Sequence, residues 1–303
     1  MTVLVVGDVI DDIVVRPLRG VTADSDTPSA ITACPGGSGA NQAAWLGVLG
    51  TDVRFAGRAG AADVDAHTAA LAAAGVDARL AADPGTATGR IVVLAEGGRR
   101  DMYTDRGANL NLSPADLPDD LLDGVRLLHV SGYSLFHPGV RDAVGGLMRR
   151  ARERGVDTSV DPGSAAFLAH TGAEAFRAWA RGARLIFPNL DEGRQLTGEH
   201  APSDVAAALA TDHAVVALKL GADGVLIAAG DGTRFRLPSP PAEVVDPTGA
   251  GDAFCAGFLT AWASDRSLED CAGSGLAAAA SAIAAVGARP HLSPPAPQSD
   301  RAP

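Results

Sequence analysis

Short runs of apolar residues recur along the chain and alternate with segments that have helical periodicity. The first run, residues 2–6, is almost entirely apolar and predicts a strand buried on both faces that ends at Gly7. Similar runs follow at residues 126–130, 158–161, 185–188, 215–218 and 225–228. Between them, residues 138–154 and 203–210 predict helices, the second with Ser203 as its N-cap. This alternation predicts a three-layer α/β/α fold around a mostly parallel sheet.

Two segments in the first third of the chain interrupt this rhythm. Residues 13–35 and 89–104 contain no convincing helical pattern, and they alternate apolar and polar positions between glycines and prolines. Both segments predict strands of a small antiparallel sheet, and we expect them to pair as a lid over the parallel sheet. We expect a single domain over residues 1–292, followed by a loose proline-rich tail at 293–303.

Composition narrows the classes of function. The 303 residues carry a formal net charge of −11, and no basic run exceeds the pairs at 99–100 and 149–150, which argues against a nucleic-acid partner. No apolar stretch reaches the roughly 20 residues of a membrane-spanning helix, and no secretory signal is recognisable. Three cysteines without a CxxC spacing disfavour a disulfide framework and a zinc site. We therefore expect a cytoplasmic protein with a small-molecule substrate and no nucleic-acid or membrane partner.

The strongest chemical signal is the string DPTGAGDAF at residues 246–254, which follows a predicted strand at 243–245 and precedes a helix. Backbone N–H groups at such a helix start, together with the helix dipole, stabilise an anion. The anion-binding groups would belong to Gly249, Ala250 and Gly251. Asp252 in the same turn would repel a phosphate, so its chemical use is to accept a proton from an attacking hydroxyl. The alternative is that Asp252 only complements the helix dipole.

This string resembles the C-terminal signature of the ribokinase (PfkB) family of carbohydrate kinases. The sequence GGSGANQAA at residues 36–44 resembles the N-terminal signature of the same family, and the two occur in the expected order. The resemblance extends over nearly the whole chain. It implies a ribokinase-like fold with a small β-sheet lid, and transfer of the γ-phosphoryl group of ATP to a sugar hydroxyl with Asp252 as the base.

The acceptor side of the predicted site lies near the beginning of the chain. Gly36 and Gly37 open a helix and allow the backbone to approach a sugar closely, while Asn41 offers both a donor and an acceptor to hydroxyls. The alternative is a helix start that is simply packed tightly on the sheet. Asp12 lies beyond the first strand, where ligands bind in open α/β sheets. It also matches the family position that accepts hydrogen bonds from sugar hydroxyls.

Two departures from ribokinase leave the substrate undecided. Ser38 stands where ribokinase has a lysine, and Ile10 stands where ribokinase has an asparagine. Both count against ribose as the substrate. The second lid segment ends at residues 106–109, and we expect Asn109 or Arg106 to contact the substrate when the lid closes. A simple turn before the next helix is the alternative.

The nucleotide side is predicted from two further motifs. Asn189 and Glu192 form an N-x-x-E motif that, by resemblance, would organise Mg²⁺ and its waters beside the ATP phosphates. A capping box is the alternative for this pair and is compatible with that role. Lys219, Gly221 and Gly224 lie in a turn between two predicted strands that resembles the family's nucleotide-binding turn. The alternative there is a hairpin-like turn with a surface lysine.

The resemblance also raises three points that the residues leave open. Asp246 and Thr248, with the loop at 287–290, correspond to a monovalent-cation site in relatives, so K⁺ could join ATP and Mg²⁺ as a cofactor. A homodimer is compatible with the lid segments. The alternatives to a sugar kinase are a nucleoside kinase of the same family, which the 4% aromatic content does not favour, and a non-catalytic sugar or nucleotide sensor.

Overall fold

The computed structural model describes residues 1–21, 23–96 and 99–291, so the predicted tail at 293–303 lies outside the described residues. Within these ranges the chain forms thirteen β-strands and nine α-helices. The strands are β1 (Thr2–Val6), β2 (Ile10–Pro17), β3 (Ser29–Gly36), β4 (Asp52–Gly60), β5 (Val76–Asp83), β6 (Thr88–Glu96), β7 (Arg99–Gly107), β8 (Val125–Ser131), β9 (Asp157–Asp161), β10 (Leu185–Ile186), β11 (Val215–Lys219), β12 (Val225–Ala229) and β13 (Arg234–Leu237). The helices are α1 (Ser38–Val48), α2 (Val64–Ala73), α3 (Pro138–Glu153), α4 (Ala165–Thr171), α5 (Ala173–Ala180), α6 (Leu190–Thr197), α7 (Pro202–Leu209), α8 (Ala250–Ala263) and α9 (Leu268–Ile283).

Nine of these strands form one large sheet in the order β13-β12-β11-β10-β9-β8-β1-β4-β5. The pairs from β11 through β5 are parallel, and β12 and β13 add an antiparallel edge. The alternation of strands and helices in the sequence explains this topology, because a parallel pair needs a crossover connection. The predicted α/β fold with a mostly parallel sheet is confirmed.

Helices cover both faces of the large sheet. Val3 and Val5 of β1 belong to the core shared with α1, α2, α8 and α9, whereas Leu4 and Val6 belong to the core shared with α3 to α7. All four side chains are fully buried, which is why β1 is an apolar run rather than an alternating one. Among the described residues, no helix combines the length and apolarity needed to span a membrane.

The two segments that interrupt the helical rhythm form a separate four-stranded sheet in the order β3-β2-β6-β7. The strands β2 and β3 form one antiparallel hairpin, β6 and β7 form another, and β2 pairs with β6 in parallel. The prediction of an antiparallel sheet is therefore wrong for the central pair. The reason is topological, since β2 and β6 both leave the carboxyl ends of parallel strands and run in the same direction.

Two local predictions are also wrong. The segment 243–245 is not a strand, because its backbone bonds to the end of α9, where the N–H of Val245 donates to the carbonyl oxygen of Ile283 at 2.8 Å. Prolines at 238, 240, 241 and 247 also remove donors that a sheet would need. The helix α7 begins at Pro202, and its N-cap is Ala201 rather than Ser203. Proline favours the first helical position, which moves the N-cap two residues earlier.

The central position of β8 gives a stability prediction. Leu128 of β8 is fully buried, and Leu18 is 72% exposed. We expect Leu128→Ala to lower the free energy of unfolding by about 2–5 kcal/mol, because it leaves a cavity in the core. Leu18→Ala is the matched control and should change it by less than about 0.5 kcal/mol. Urea unfolding followed by circular dichroism measures both, and similar losses for the two variants would contradict the assigned core.

Candidate active site

Asp252 lies where the first turns of α1 and α8 meet. Its Oδ1 accepts a hydrogen bond from Oγ of Ser38 at 2.7 Å, and its Oδ2 accepts one from Nδ2 of Asn41 at 3.1 Å. Both donors belong to α1, whereas Asp252 lies in the first turn of α8. The two sequence motifs at 36–44 and 246–254 are therefore joined through this one carboxylate.

The environment of Asp252 makes it an unusual carboxylic acid. Removal from water, together with the charges of Asp161 and Asp8, raises its pKa to about 7. The hydrogen bonds from Ser38 and Asn41 oppose this shift, because they stabilise the ionised form. An unperturbed aspartate titrates near about 3.9. Asp252 is thus a stronger base than an ordinary aspartate and is still substantially ionised at neutral pH.

The turn before α8 has the backbone geometry of an anion site. Gly249, the N-cap, has a φ of 79°, and a Cβ at this position would lie 2.6 Å from Cα of Ala288. A residue other than glycine would therefore be both strained and obstructed. Among the described residues, the N–H groups of Gly251 and Asp252 have no backbone acceptor. Free N–H groups at a helix start attract anions.

The predicted acceptor residues lie together on the far side of Asp252. Asp12 of β2 packs against Gly36 of β3, and a Cβ at Gly36 would overlap with the Asp12 carboxylate. Gly37 follows with a φ of 89°, and its carbonyl oxygen accepts a hydrogen bond from the N–H of Asn41 at 2.8 Å. Burial and the neighbouring Asp8 together raise the pKa of Asp12 to about 6.

Asn109 is bonded to the backbone next to this acceptor side. Its Oδ1 accepts from the N–H of Val9 at 2.8 Å, and its Nδ2 donates to the carbonyl oxygens of Val9 and Arg106 at 2.7 and 2.9 Å. The amide therefore fixes the turn between β1 and β2. A substrate contact by Asn109 stays a prediction.

Lys219 at the end of β11 is part of a buried charge pair. Its Nζ donates to Oδ1 of Asp161 at 3.1 Å, and only 14% of its side chain is exposed, so the interpretation as a surface lysine is wrong. Burial disfavours the charge on Lys219, but the Asp161 carboxylate outweighs burial and raises the pKa of the lysine. Gly221 and Gly224 follow in the short turn between β11 and β12.

A polar chain continues from this pair beneath the site. Oδ2 of Asp161 accepts from Nε2 of Gln42 at 3.0 Å, and Oε1 of Gln42 lies 3.1 Å from Nε2 of His129. The other ring nitrogen of His129 lies 2.8 Å from Oγ of Ser159. Burial lowers the pKa of His129 to about 4, so this ring is neutral at physiological pH. The chain links α1 to the centre of the large sheet.

The N-x-x-E motif starts α6 and forms a complete capping box. Oδ1 of Asn189 accepts from the N–H of Glu192 at 2.9 Å, and Oε2 of Glu192 accepts from the N–H of Asn189 at 2.9 Å. A third bond joins Nδ2 of Asn189 to Oε1 of Glu192 at 2.7 Å. Burial raises the pKa of Glu192, while the nearby Lys219 opposes the shift. The capping interpretation holds, and the predicted Mg²⁺ role stays a prediction.

A cavity of about 770 Å³ joins the groups that were predicted to bind the nucleotide. One end is polar and is lined by Ser38, Asp161, Asn189, Glu192, Lys219, Gly249, Ala250, Gly251 and Asp252. The other end is apolar and is lined by Pro240, Pro241, Ala242, Val244, Leu276, Ala279, Ala280 and Ile283. Gly221 and Gly224 line the same cavity, whereas Asp12, Gly36, Gly37, Asn41 and Asn109 lie outside it. Asp252 thus stands between the cavity and the acceptor residues.

Asp246 stabilises the turn before α8. Its Oδ1 accepts from the N–H and the Oγ1 of Thr248 at 2.9 and 2.6 Å, and its Oδ2 accepts from the N–H of Gly287 at 3.1 Å. Asp246 therefore ties the 246–249 turn to the loop after α9. A monovalent-cation site at Asp246 and Thr248 stays a prediction.

Sequence reasoning missed two charged groups of the site, Asp161 and Arg289, whereas it named a third, Arg106, as an alternative to Asn109 for a substrate contact. Asp161 ends β9, and the rule that ligands gather at the carboxyl ends of strands could have identified it. Arg106 donates to Oδ2 of Asp8 at 2.8 Å and lies 4.0 Å from the centroid of the Tyr133 ring. Arg289 reaches the acceptor residues from the loop after α9. No local pattern marks Arg289, because its partners are distant in sequence.

Comparison with known proteins assigns the class of protein. A sequence model described as pfkB family carbohydrate kinase matches residues 2–294, so the chain belongs to this family. Aminoimidazole riboside kinase of Salmonella typhimurium is 32% identical over 75% of this chain and 73% of that protein. The chain is a phosphotransferase with an alcohol group as acceptor, a sugar or nucleoside kinase of the PfkB family.

Solved structures give the same result for the fold. Adenosine kinase from Sinorhizobium meliloti superposes with a TM-score of 0.87 at 29% identity, covering 96% of each chain. Aminoimidazole riboside kinase from Salmonella enterica, complexed with aminoimidazole riboside and an ATP analog, gives a TM-score of 0.79 at 27% identity over 95% of each chain. The predicted ribokinase-like fold and the resemblance to the family are confirmed.

The contacts of Asp252 predict a titration. We expect its carboxyl to titrate near pH 7 in the free protein, and Ser38→Ala to raise this pKa by about one unit, because a hydrogen bond to the ionised form is lost. NMR of protein with ¹³C-labelled aspartate measures the pKa, and Asp252→Asn assigns the signal. Ser203→Ala, on the surface of α7, is the control and should leave the pKa unchanged. Titration of Asp252 near pH 4 in the parent would contradict the buried environment.

Proposed function

We propose that the protein transfers the γ-phosphoryl group of Mg-ATP to a hydroxyl group of a sugar or sugar-like alcohol. The observation that carries this proposal is the position of Asp252. Its carboxylate stands between a large cavity and the acceptor residues Asp12 and Asn41, next to unpaired backbone N–H groups. A base and an anion site at one point are what a phosphoryl transfer to an alcohol requires.

The cavity suits a nucleotide in one orientation. Its apolar end, next to α9, fits a base, and its polar end contains Lys219 and the N–H groups at the start of α8, which favour phosphates. This orientation brings the γ-phosphate to Asp252. A relative of similar fold was solved with an ATP analog, which supports ATP as the donor.

Mg²⁺ fits the carboxylates at the polar end. Asp161 and Glu192 both line this end, and no group of three or more metal-ligating side chains occurs within the described ranges. Such a sparse set suits an ion that keeps waters and phosphate oxygens as its main ligands. Mg²⁺ bound with the nucleotide would neutralise negative charge on the phosphates. Asn189 would orient Glu192 through their mutual hydrogen bonds.

Asp252 would act as the general base. With a pKa near 7, its carboxylate can accept the proton of the acceptor hydroxyl as the new P–O bond forms. Ser38 and Asn41 hold both carboxylate oxygens and so fix their direction. The N–H groups of Gly251 and Asp252 would stabilise the charge on the transferring group. Positioning and electrostatics supply most of the acceleration in this class of reaction.

The acceptor would bind between the lid and the start of α1. Asp12 belongs to the small sheet, and Gly36 joins that sheet to α1, so the acceptor residues connect the two parts of the fold. Nucleosides belong beside sugars among the candidate acceptors, since adenosine and aminoimidazole riboside kinases resemble this chain.

Activity with a panel of acceptors tests this proposal. We expect Mg-ATP to be consumed with at least one ketose, aldose, sugar acid or nucleoside, assayed with and without K⁺ as ADP release. Asp252→Asn should lower kcat by at least about 10²-fold, because it removes the base. The pH profile of kcat/KM should rise through about pH 7, since only the ionised carboxylate accepts a proton.

Asp270→Asn is the matched control for Asp252→Asn. Asp270 also lies in the first turn of a helix, but on the exposed part of α9. If Asp252 only complemented its helix dipole, the two variants would lose similar stability and neither would lose much kcat. An Asp252→Asn enzyme as fast as the parent would refute the assignment of the base.

A further inference from the structure

Arg289 is a charged side chain next to the acceptor residues that the proposed reaction does not use. It lies in the loop after α9 and reaches back to the start of α1. Its Nε donates to Oδ1 of Asn41 at 3.3 Å, and its Nη2 donates to the carbonyl oxygen of Gly36 at 3.1 Å. Two of its three nitrogens are therefore fixed, which sets the plane and direction of the guanidinium group.

The third nitrogen of Arg289 lacks a partner. Nη1 is buried and has no hydrogen-bond acceptor within the described ranges. Buried donors are rarely left unpaired in folded proteins, and an unpaired one often indicates a missing ligand or water. Burial also lowers the pKa of Arg289 to about 10, in keeping with a guanidinium that is poorly hydrated.

The loop that carries Arg289 is anchored independently of the acceptor. Nε1 of Trp45 donates to the carbonyl oxygen of Ala288 at 2.9 Å, and Gly249 packs directly against Ala288. The guanidinium is therefore presented by a fixed backbone that also supports the turn before α8. Packing inside the protein, rather than a mobile surface segment, therefore fixes the position of the guanidinium.

Asp12 carries an unpaired acceptor that complements the unpaired donor of Arg289. Its carboxylate accepts no hydrogen bond from the described residues, yet it packs against the same Gly36 that Arg289 contacts. The two opposite charges influence each other's pKa, but no ion pair joins them in the described part of the chain. Asp12 and Arg289 thus both contact Gly36, and neither the Asp12 carboxylate nor Nη1 of Arg289 has a hydrogen-bond partner within the described ranges.

We propose that Arg289 binds the acceptor substrate and that, with Asp12, it selects a neutral polyhydroxyl face. This inference rests on the proposed function, which takes the side of Asp12 as the acceptor side. A group between a carboxylate and a guanidinium must donate to the first and accept from the second, and a hydroxyl does both. A phosphate or carboxylate at this point would meet Asp12 with Asp11 and Asp8 nearby, and an ammonium would meet Arg289.

The test compares Arg289→Gln with Arg266→Gln, an exposed arginine paired with Asp270 on the surface. The probes are D-ribose, D-fructose, adenosine and cytidine, each beside its monodeoxy analogues, and ribose 5-phosphate as an anionic sugar. Isothermal titration without nucleotide gives Kd, and steady-state assays give KM for acceptor and for Mg-ATP. We expect Arg289→Gln to weaken binding of the preferred neutral probe by about 10-fold or more, with KM for Mg-ATP unchanged.

The difference in affinity between a probe and its monodeoxy analogue tests the role of Arg289 more directly than either affinity alone. A site built to bind a substrate hydroxyl rejects the analogue that lacks it, by up to about 10⁴-fold. The parent should therefore bind at least one monodeoxy analogue much more weakly than the corresponding probe. In Arg289→Gln, the ratio of the two Kd values should be smaller by about 10-fold or more, because the hydrogen bond that distinguishes the two ligands is lost. Arg289→Lys keeps the charge with fewer donors and should give an intermediate ratio. Arg266→Gln should behave as the parent.

The outcomes separate this inference from the proposed function. If the parent phosphorylates an acceptor and Arg289→Gln keeps its Kd and its discrimination, Arg289 is not a substrate contact, although the kinase stands. If no probe is phosphorylated but the parent binds one and Arg289→Gln does not, the binding role of Arg289 is supported and the proposed phosphoryl transfer is not. If Arg289→Gln loses binding of ribose 5-phosphate but keeps binding of the neutral probes, the assignment of a neutral polyol is overturned. A parent that binds no probe would overturn both proposals.

Discussion

The site depends on the hydrogen bonds by which the Asp252 carboxylate, at the start of α8, is held by the start of α1. The N-terminal turns of α1 and α8 both carry partial positive charge, and they approach each other at Asp252. Ser38 and Asn41 reach that carboxylate from positions 214 and 211 residues earlier in the chain. The large sheet, with α1 and α8 packed on one face, is what brings these turns together. Movement of either helix would break the contact that joins the residues predicted to bind the acceptor to those predicted to bind the nucleotide.

Burial and hydrogen bonding act on this carboxylate in opposite directions. Removal from water and the neighbouring Asp161 favour the protonated form, whereas Ser38 and Asn41 favour the ionised form. Asp161 is itself neutralised in part by Lys219, and its second oxygen is held by Gln42. The basicity of Asp252 is therefore set by a group of residues from several strands and helices rather than by its immediate neighbours alone.

The architecture could be predicted from the sequence because it follows from local periodicity. Buried parallel strands such as β1 and β8 are apolar runs, and glycines and prolines separate the segments of the small sheet. The segment 243–245 shows the limit, since its valines have a strand-like pattern while its partner is the end of α9. Pairing in three dimensions, which periodicity does not encode, decided that case and the parallel pairing of β2 with β6.

The residues of the site also differ in whether the sequence alone could identify them. Asp252 and the glycines before it were identifiable because strand, turn, acid and helix occur in one short string. Arg289 was not, because its partner Asn41 is far away in sequence, whereas the position of Asp161 at the carboxyl end of β9 was a signal that was not used. Ser38 was noticed only as a departure from ribokinase, and its bond to the carboxylate became apparent in three dimensions.

The apolar end of the cavity has a consequence for the choice of nucleotide. Its described lining consists of proline, alanine, valine, leucine and isoleucine side chains, and the hydroxyl of the nearby Ser239 is already bonded to the carbonyl oxygen of Gly221. Ser239, which also lines the cavity, can still accept one hydrogen bond from a base, whereas the apolar side chains beside it recognise a base by shape alone. Recognition by shape discriminates weakly between bases that have the same outline. Cellular abundance of each nucleoside triphosphate, more than selective binding, would then decide which one donates the phosphate.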